Sequence, residues 1–310
     1  MLVGMIAALH AMGRTIPLAF ITNQGADTVS VVDLSTNAVA QTVRVEKDPA
    51  GVAVDWRRRL VFVTNSTAGT LTSFDADSLK TNTSRPAGNG PLGLTVDARR
   101  GRVYVAEWHG DAVAAYDAVT LAPRGRYKTG RAPSGIAISP DGRLLLVANR
   151  DDDEVQVIDT TSSLTLARIS VGKAPFGVTI SLDGQRAFCA NVQSHDISVL
   201  DLVGLRVLAT LPVGHMPYAI AHDIQREHLF VTNQEDGTVS VVDLEENAVL
   251  KTLTVGDYPE GIDISQGLRR VYVANWFSNS VTVIDADTLE VAGEIATGDG
   301  SRAFGRFILE

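Results

Sequence analysis

The sequence has little of what several common protein classes require. It contains one cysteine, Cys189, which excludes an internal disulfide and any zinc or iron–sulfur site built from cysteines. The Cys-x-x-Cys-His motif is missing, so covalent c-type haem is excluded as well. No apolar run approaches the roughly 18 residues needed to cross a bilayer. The net charge of −9 argues against a protein that holds nucleic acid through its overall electrostatic field.

The composition is that of an ordinary globular protein, with 45% hydrophobic and 20% charged residues in a chain of 310. That length fits two average domains or one large all-β domain. Residues 1–17 differ from the rest, because an apolar run, Leu2 to Leu9, precedes a possible cleavage site at Leu9-His10-Ala11. This resembles a secretory signal that lacks a basic start. A cleaved signal and an unprocessed leader are both open, and a periplasmic or extracellular location is expected.

A repeat with a period of 42 residues runs through the rest of the chain, residues 18–310. Segments such as AFITN, VFVTN and VYVAN end at Asn23, Asn65, Glu107, Asn149, Asn191, Asn233 and Asn275. Ten residues after each of these marks stands an aspartate: Asp33, Asp75, Asp117, Asp159, Asp201, Asp243 and Asp285. A proline follows 26 residues after six of the marks, at Pro49, Pro91, Pro133, Pro175, Pro217 and Pro259, with Ser301 in the seventh repeat. Seven copies in constant register indicate a repeat architecture.

Each module reads as four short strands separated by Gly, Pro, Asn and Asp turns, with no helical period. One such sheet is unstable alone, but blades packed face to face around an axis bury both faces. The sequence therefore predicts an all-β fold, a seven-bladed β-propeller of four-stranded antiparallel blades. The chain begins within a blade and ends with a candidate inner strand, Ala303–Ile308. We expect that segment to pair with Leu18–Asn23 and close the ring.

Three module positions have a structural explanation. The small residue two positions after each proline, such as Gly51, suits the innermost strand, where the strands crowd the axis. The proline suits a strand start, where no ladder donor is lost. The recurring aspartate suits a hairpin turn, where its carboxylate accepts backbone N–H groups two or three residues on. Cys189 stands where other modules have Ile or Val, so we interpret it as a buried hydrophobic residue.

The module residues also carry a family resemblance. Phe-Val-Thr-Asn at 62–65 and 230–233, with Thr238–Asp243 and Val255-Gly256-x-x-Pro259, resembles the YVTN β-propeller repeat family. The resemblance extends from Leu18 to Ile308. It implies the propeller fold, and it implies little about function, since that family includes periplasmic and cell-surface proteins of diverse role. A short closing segment, residues 298–308, resembles the last strand of propellers associated with catabolism of the quinone cofactor PQQ.

Residues that break the repeat are the candidates for function. Two loop sets, one after each Asn/Glu mark and one around each proline, should share one face of the ring. Their large side chains give a set of ligand-binding candidates: Glu107, Trp108, His109, Phe176, His215, Tyr218, Tyr258, Trp276, Phe277 and Arg302. Exposed aromatic residues interspersed with Arg and His are typical of a binding face. The alternative is that these loops vary because they are free to vary.

Glu107 has two interpretations, a salt-bridged substitute for Asn or a carboxylate aimed at the channel mouth beside His109. The histidines show no His-x-His or His-x₃-His spacing, so no metal site is predicted. Asp151 to Glu154 lacks the ligand spacing and glycine of a calcium loop and reads as a solvated turn. The opposite face carries arginines near Arg57–Arg59 and Arg99–Arg102, with aspartates close by to offset them.

Three functions follow as hypotheses. The first is a secreted or periplasmic scaffold that binds an unidentified protein or small molecule through the loop face. The second is a propeller lactonase or lyase, with Glu107, His109 and Arg302 as the acid–base candidates. The third, less favoured, is nucleic-acid binding by the arginine-rich face, which would show a steep salt dependence. No catalytic residue and no cofactor is indicated, and a monomer is expected.

Overall fold

The computed structural model describes residues 16–310 and contains seven four-stranded antiparallel sheets, the blades of a propeller. The seven-bladed fold predicted from the repeat is confirmed. Of the predicted leader, residues 1–17, all but Ile16 and Pro17 lie outside the described residues. We number the blades from the one that contains the first strand.

Blade 1 joins the two ends of the chain, and the other six blades each use four consecutive strands. Its strands are β1 (Leu18–Asn23), β2 (Thr28–Asp33), β3 (Ala38–Arg44) and the last strand, β28 (Ile308–Leu309). The strands of blades 2–4 are β4 (Pro49–Asp55), β5 (Leu60–Asn65), β6 (Thr70–Asp75), β7 (Thr81–Pro86), β8 (Pro91–Asp97), β9 (Arg102–Glu107), β10 (Ala112–Asp117), β11 (Pro123–Lys128), β12 (Pro133–Ile138), β13 (Leu144–Asn149), β14 (Glu154–Asp159) and β15 (Thr165–Ser170). Those of blades 5–7 are β16 (Pro175–Ile180), β17 (Arg186–Asn191), β18 (Asp196–Asp201), β19 (Arg206–Pro212), β20 (Pro217–Asp223), β21 (His228–Asn233), β22 (Thr238–Asp243), β23 (Ala248–Thr254), β24 (Pro259–Ser265), β25 (Arg270–Asn275), β26 (Ser280–Asp285) and β27 (Glu290–Ala296).

The helical content of residues 16–310 is limited to two single 3₁₀ turns, Gln24–Ala26 and Arg150–Asp152. In this part of the chain no helix has the length and apolar character required to span a bilayer.

The first strand of each blade lies at the axis and the fourth lies at the rim. Neighbouring inner strands contact one another, as β8 does with β4 and β12, whereas outer strands such as β23 are largely exposed. The apolar core lies between neighbouring blades; Phe20 of blade 1, for example, meets Phe74 of blade 2 edge-to-face at 5.8 Å. The large residue of each second strand is completely buried, and this set is Phe20, Phe62, Tyr104, Leu146, Phe188, Phe230 and Tyr272.

The predicted roles of the module residues are confirmed. Each of the six prolines begins an inner strand. At Gly177 an added Cβ would lie 2.3 Å from the carbonyl oxygen of Tyr218 in the next blade, so the small residue permits close approach of two inner strands. All seven hairpin aspartates accept backbone N–H groups of their own turn, as Asp285 does from Asp287 and Thr288, both at 2.9 Å.

The C-terminal segment closes the ring against β1, as predicted, although its regular strand is shorter than expected. Only Ile308 and Leu309 form a ladder, with Ala19 and Leu18. Before them the chain is bulged, because Ala303 and Gly305 have positive φ angles of 49° and 132°. The bulged part still bonds to both neighbours: Arg302 N donates to Thr22 O at 2.9 Å, and Val52 N of blade 2 donates to Phe304 O at 3.0 Å.

Candidate functional site

Both predicted loop sets lie on one face, which we call the upper face. Each inner strand starts there, and its proline is paired with the Asn or Glu that ends the second strand, as Pro217 is with Asn233. The residue after each of the six prolines, and Arg302 after Ser301, lies at the upper end of the channel. Around the ring these residues are Ala50, Leu92, Ser134, Phe176, Tyr218, Glu260 and Arg302. Small residues on blades 2 and 4 leave space that large ones on blades 5, 6, 7 and 1 fill.

Aromatic rings close the upper end of the channel. Phe176 packs on Tyr218 with ring centroids 4.2 Å apart and on Phe304 at 5.2 Å. Trp108 joins this group from blade 3, with its ring 5.8 Å from Phe176. We call these four residues, Trp108, Phe176, Tyr218 and Phe304, the aromatic plug. Phe176, Tyr218 and Phe304 are buried, so the plug is a piece of apolar core placed at the channel mouth.

A buried ion pair lies beside the plug. Arg302 is bonded through two nitrogens to the Glu260 carboxylate, and its Nη2 also donates to the Tyr218 hydroxyl at 3.0 Å. Gln234 Nε2 donates to Glu260 Oε1 at 2.7 Å. Burial raises the pKa of Glu260, which Arg302 and Gln234 counteract. Burial alone would lower the pKa of Arg302, but Tyr218 and Glu260 raise it, so the guanidinium stays charged. The group is therefore satisfied internally.

An aromatic patch lies next to this ion pair on the surface of blade 7. It consists of Tyr258, Trp276 and Phe277, and we call it the blade 7 patch. Phe277 stacks on Trp276 at 4.8 Å and packs against Tyr258 at 4.5 Å, yet its side chain is 59% exposed. The Arg302 guanidinium lies 4.7 Å from the Trp276 ring centroid, a cation–π contact that connects the patch to the plug.

A pair of histidines forms a separate group between blades 5 and 6. The rings of His195 and His215 lie 5.0 Å apart, and His195 Nδ1 accepts the backbone N–H of Met216. Nδ1 of His215 lies 2.8 Å from Oδ1 of Asp236, and that hydrogen bond raises the pKa of His215. Within residues 16–310 no group of three or more His, Cys, Asp or Glu side chains is arranged to hold a metal ion.

Glu107 forms an ion pair with Arg126. Its two oxygens accept Nε and Nη2 of Arg126, both at 3.0 Å. In the other modules the Asn side chain donates to side chains five and seven residues on, as Asn65 does to Thr70 and Thr72. In blade 3 both of those acceptor positions are alanines, Ala112 and Ala114, and an arginine from the outer strand takes over. Of the two interpretations of Glu107, the structure therefore agrees with a salt-bridged substitute for Asn. His109 lies exposed beside Gly90.

The arginines of the opposite face, the lower face, are mostly paired with carboxylates. The pairs are Arg58–Asp55, Arg59–Asp77, Arg100–Asp97, Arg143–Asp159, Arg186–Glu227, Arg269–Asp223 and Arg270–Asp285. Neutralised arginines attract phosphates weakly, which counts against the nucleic-acid hypothesis.

Two members of the upper group were not identified from the sequence. Phe304 occupies a position that is Val, Leu or Ile in the six other modules, so an aromatic residue there was a readable departure. Gln234 directly follows the Asn/Glu mark of its module, as Trp108 and Trp276 do. A glutamine at a loop position is common, so the sequence alone does not indicate that this side chain binds Glu260. The predicted candidates divide into the plug with Arg302, the blade 7 patch, His215 with its neighbours, and the isolated Glu107 and His109.

The topology defines the chain as a seven-bladed β-propeller. More narrowly, it belongs to the YNCE-like beta-propeller family, which matches residues 19–186, more than half of the chain. No curated protein matches it significantly.

Solved structures share the fold. Kuenenia stuttgartiensis hydrazine synthase is 21% identical with a TM-score of 0.77, over 86% of this chain and 91% of that one. A functionally unknown protein from Desulfotomaculum acetoxidans DSM 771 is 15% identical with a TM-score of 0.80, over 93% and 99%. The dihydro-heme d1 dehydrogenase NirN in complex with DHE is 17% identical with a TM-score of 0.69, over 89% and 72%. At these identities the likeness concerns the fold alone.

Proposed function

We propose that this propeller is a binding protein that recognises a ligand or partner through its upper face, centred on the blade 7 patch. The observation that carries the proposal is that Phe277 stays largely exposed while Tyr258 and Trp276 pack against it and Arg302 holds Trp276 from below. A rigid, exposed aromatic group next to a fixed cation is the composition of binding hot spots. Its members come from the connection that leads into blade 7 and from one loop within that blade, and they pack on one another, so little ordering is needed on binding.

The geometry favours binding over the lactonase or lyase alternative. Two of that alternative's candidates, Glu107 and Arg302, each have their charged atoms engaged in an ion pair. General acid–base catalysis needs a group that can exchange a proton with a substrate within hydrogen-bond reach. Enzyme names among the similar structures do not alter this, because the likeness to them concerns the fold.

Export and a finer family placement complete the proposal. The apolar run Leu2 to Leu9 supports a secreted or periplasmic location. The Phe-Val-Thr-Asn segments support placement among YVTN repeat propellers, and residues 298–308 support a link to the PQQ-associated type. Fractionation of the producing cells with N-terminal sequencing tests export. We expect a mature chain that starts at Met12 outside the cytoplasm, and an intact Met1 in the cytoplasm would contradict it.

A thermal-shift screen tests the binding face. The compounds are quinone cofactors, lactones and metal ions, measured on the wild-type protein, on Phe277→Ala and on a control, Val203→Ala. Both replaced side chains are exposed, by 59% and 79%, so neither change should lower the melting temperature of the free protein by more than a degree or two. We expect a compound that stabilises the wild type and Val203→Ala but not Phe277→Ala. The proposal fails if no compound stabilises the protein, or if the shift survives in Phe277→Ala.

A further inference from the structure

The channel below the aromatic plug is open, and it forms a cavity on the lower face. Its volume is about 540 Å³, within the range of roughly 300–1,000 Å³ found for small-molecule sites. Phe304 of the plug contributes to its wall, and small residues of the inner strands, such as Ala53, Ala137 and Gly177, leave the space. We call this space the lower cavity. Nothing in the upper-face proposal uses it.

The mouth of the lower cavity is an apolar ring. It is formed by one module position, the first residue of the inner hairpin in blades 2 to 7, and all six copies contribute to the lining. Five of the six are apolar, namely Trp56, Ala98, Pro140, Leu182 and Ile224, and Ile308 of β28 also lines the cavity. Trp56 is 58% exposed and Leu182 is 64% exposed. If these hairpin tips only kept the protein soluble, they would carry polar residues. The apolar ring therefore indicates that the entrance accepts an apolar group of a ligand.

One side of the mouth carries positive charge. Among the residues that the structure describes, Arg57, Arg99 and Arg306 form no ion pair, whereas Arg58, Arg100 and Arg143 on this face are paired with carboxylates. They lie on blades 2, 3 and 1, which are neighbours. Arg99 and Arg306 line the cavity, and the Arg57 guanidinium lies 4.8 Å from the centroid of Trp56. The opposite side of the mouth, at Leu182 and Ile224, is apolar.

The carboxylates in the cavity wall cancel this charge only in part. Asp97 accepts the backbone N–H groups of Arg99 and Arg100 and is paired with the Arg100 side chain. Asp263 accepts three backbone N–H groups; burial raises its pKa, and the charge of Arg306 lowers it. Arg306 is therefore partly compensated by Asp263, and Arg57 and Arg99 remain to attract an external anion.

From this juxtaposition we propose that the lower cavity binds a small anionic amphiphile, a molecule with an apolar body and one carboxylate or similar head group. The body enters the apolar channel beneath Phe304, and the head group stays at the mouth beside Arg99 and Arg306. A neutral apolar molecule would make no ionic contact with the arginines, and a fully polar anion would bury no apolar surface against the ring. The closed upper end makes the site a blind pocket rather than a passage.

Calorimetric titration with dodecanoate, below its micellar concentration, tests the proposal. We expect saturable binding of one molecule per chain, together with a change in the emission of Trp56, the one tryptophan on the lower face. Dodecanol should bind at least tenfold more weakly, and acetate should show no binding. The double variant Arg99→Gln/Arg306→Gln should bind dodecanoate at least tenfold more weakly. A matched control, Arg143→Gln, removes an arginine of the same face that is paired with Asp159, and its affinity should be unchanged.

A second variant blocks the cavity itself. Ala137→Phe places a ring in the channel wall and should abolish dodecanoate binding while circular dichroism and the melting curve remain those of a folded protein. Vesicles of phosphatidylglycerol form the remaining arm, because the apolar ring could also rest on an anionic bilayer. Binding to vesicles without binding to monomeric dodecanoate would overturn the proposal. Equal affinity for dodecanol, undiminished affinity in Ala137→Phe, or no binding of dodecanoate at all would overturn it as well.

Discussion

Asp263 accepts the backbone N–H of Phe307 at 2.9 Å across the seam that joins blade 7 to the end of the chain. The same oxygen accepts the N–H of Ile308 at 3.0 Å, which is the first residue of β28. The equivalent positions in the other blades hold Ala53, Thr95, Ala137, Thr179, Ala221 and Gly305. A carboxylate therefore stands in blade 7, one of the two blades that border the closing segment. It replaces ladder hydrogen bonds that the bulged chain before Ile308 does not make.

Replacing Asp263 with alanine should weaken the closure. The change leaves buried backbone donors of Phe307 and Ile308 without an acceptor, at a cost on the order of 2–4 kcal/mol. The midpoint of urea unfolding and the melting temperature should both fall. Thr179→Ala, at the equivalent position of blade 5, is the control and should have little effect. An unchanged midpoint in Asp263→Ala would show that the seam does not depend on this carboxylate.

Removing the closing segment entirely should open the ring. A chain that ends at Gly300 lacks the residues that pair with β1 and those that bond to Val52, so both flanking blades expose apolar surface and unpaired strand edges. We expect a melting temperature lower by 10 degrees or more, or aggregation, together with a larger radius by X-ray scattering. Equal compactness and melting of the truncated and full chains would contradict the ring closure described above.

Blade 3 should tolerate a return to the Asn found in the other modules, provided that Glu107 and the residues around it are replaced together. Arg126→Ala alone leaves the buried Glu107 carboxylate without its partner, and because the Arg126 side chain is 57% exposed we expect a modest loss of about 1–2 kcal/mol. The combination Glu107→Asn, Ala112→Thr, Ala114→Ser and Arg126→Thr restores the residues of the other modules and should recover wild-type stability in urea. A combination no more stable than Arg126→Ala would mean that blade 3 needs the ion pair for another reason.

The sequence was sufficient for the fold because the repeat has no insertions, so that strand, turn and closure positions could be aligned seven times. It also indicated the upper-face candidates, since the aromatic residues after Pro175 and Pro217 depart from Ala50 and Ser134 at equivalent positions. The lower cavity was not predicted. Its mouth residues, such as Trp56 and Leu182, were readable, but the adjacent arginines drew the interpretation towards phosphate binding. The depth of the cavity depends on the radius of the central channel. That radius results from the packing of all seven blades, so it cannot be inferred from the sequence of one module.

Stability should fall in acid through the hairpin aspartates. Their pKa values are lowered in six turns, at Asp75, Asp117, Asp159, Asp201, Asp243 and Asp285. For Asp159 the backbone N–H of Ser162 and the Arg143 side chain lower the pKa to about 2. A lowered acid pKa stabilises the fold above the unfolded value of about 3.9, and that contribution is lost as the pH falls towards the folded value.

Urea unfolding at pH 7, 4, 3 and 2.5 measures this dependence. The free energy of unfolding should decline below about pH 4, despite the opposite contribution of Glu260 and Asp263, whose pKa values are raised by burial. Asp159→Asn keeps an acceptor for the turn and removes one titrating group, so its profile should be less steep. A wild-type profile that is flat between pH 4 and 2.5 would rule out the turn aspartates as the cause.

We expect the buried side chain of His222 to lower the stability of the fold. Its imidazole is buried against Phe188, and neither ring nitrogen has a hydrogen-bond partner among the described residues; Nε2 lies 3.7 Å from Oε1 of Glu227. The equivalent residues of blades 4, 5 and 7 are Ile138, Ile180 and Ile264. Replacing His222 with isoleucine removes two unsatisfied buried nitrogens and keeps the volume, so we expect a gain of about 1 kcal/mol.

The pH dependence of that gain distinguishes its cause. Burial lowers the pKa of His222, so the folded state binds its proton less readily than the unfolded state does. The free energy of unfolding is then highest at pH values above the unfolded-state pKa of histidine, about 6.5, and it declines as the pH falls below that value. The difference in unfolding free energy between His222→Ile and the wild type should therefore grow from pH 7.5 to pH 5. The exposed Val203, changed to alanine, is the control and should show no such trend. A difference that stays constant with pH would assign the gain to packing alone.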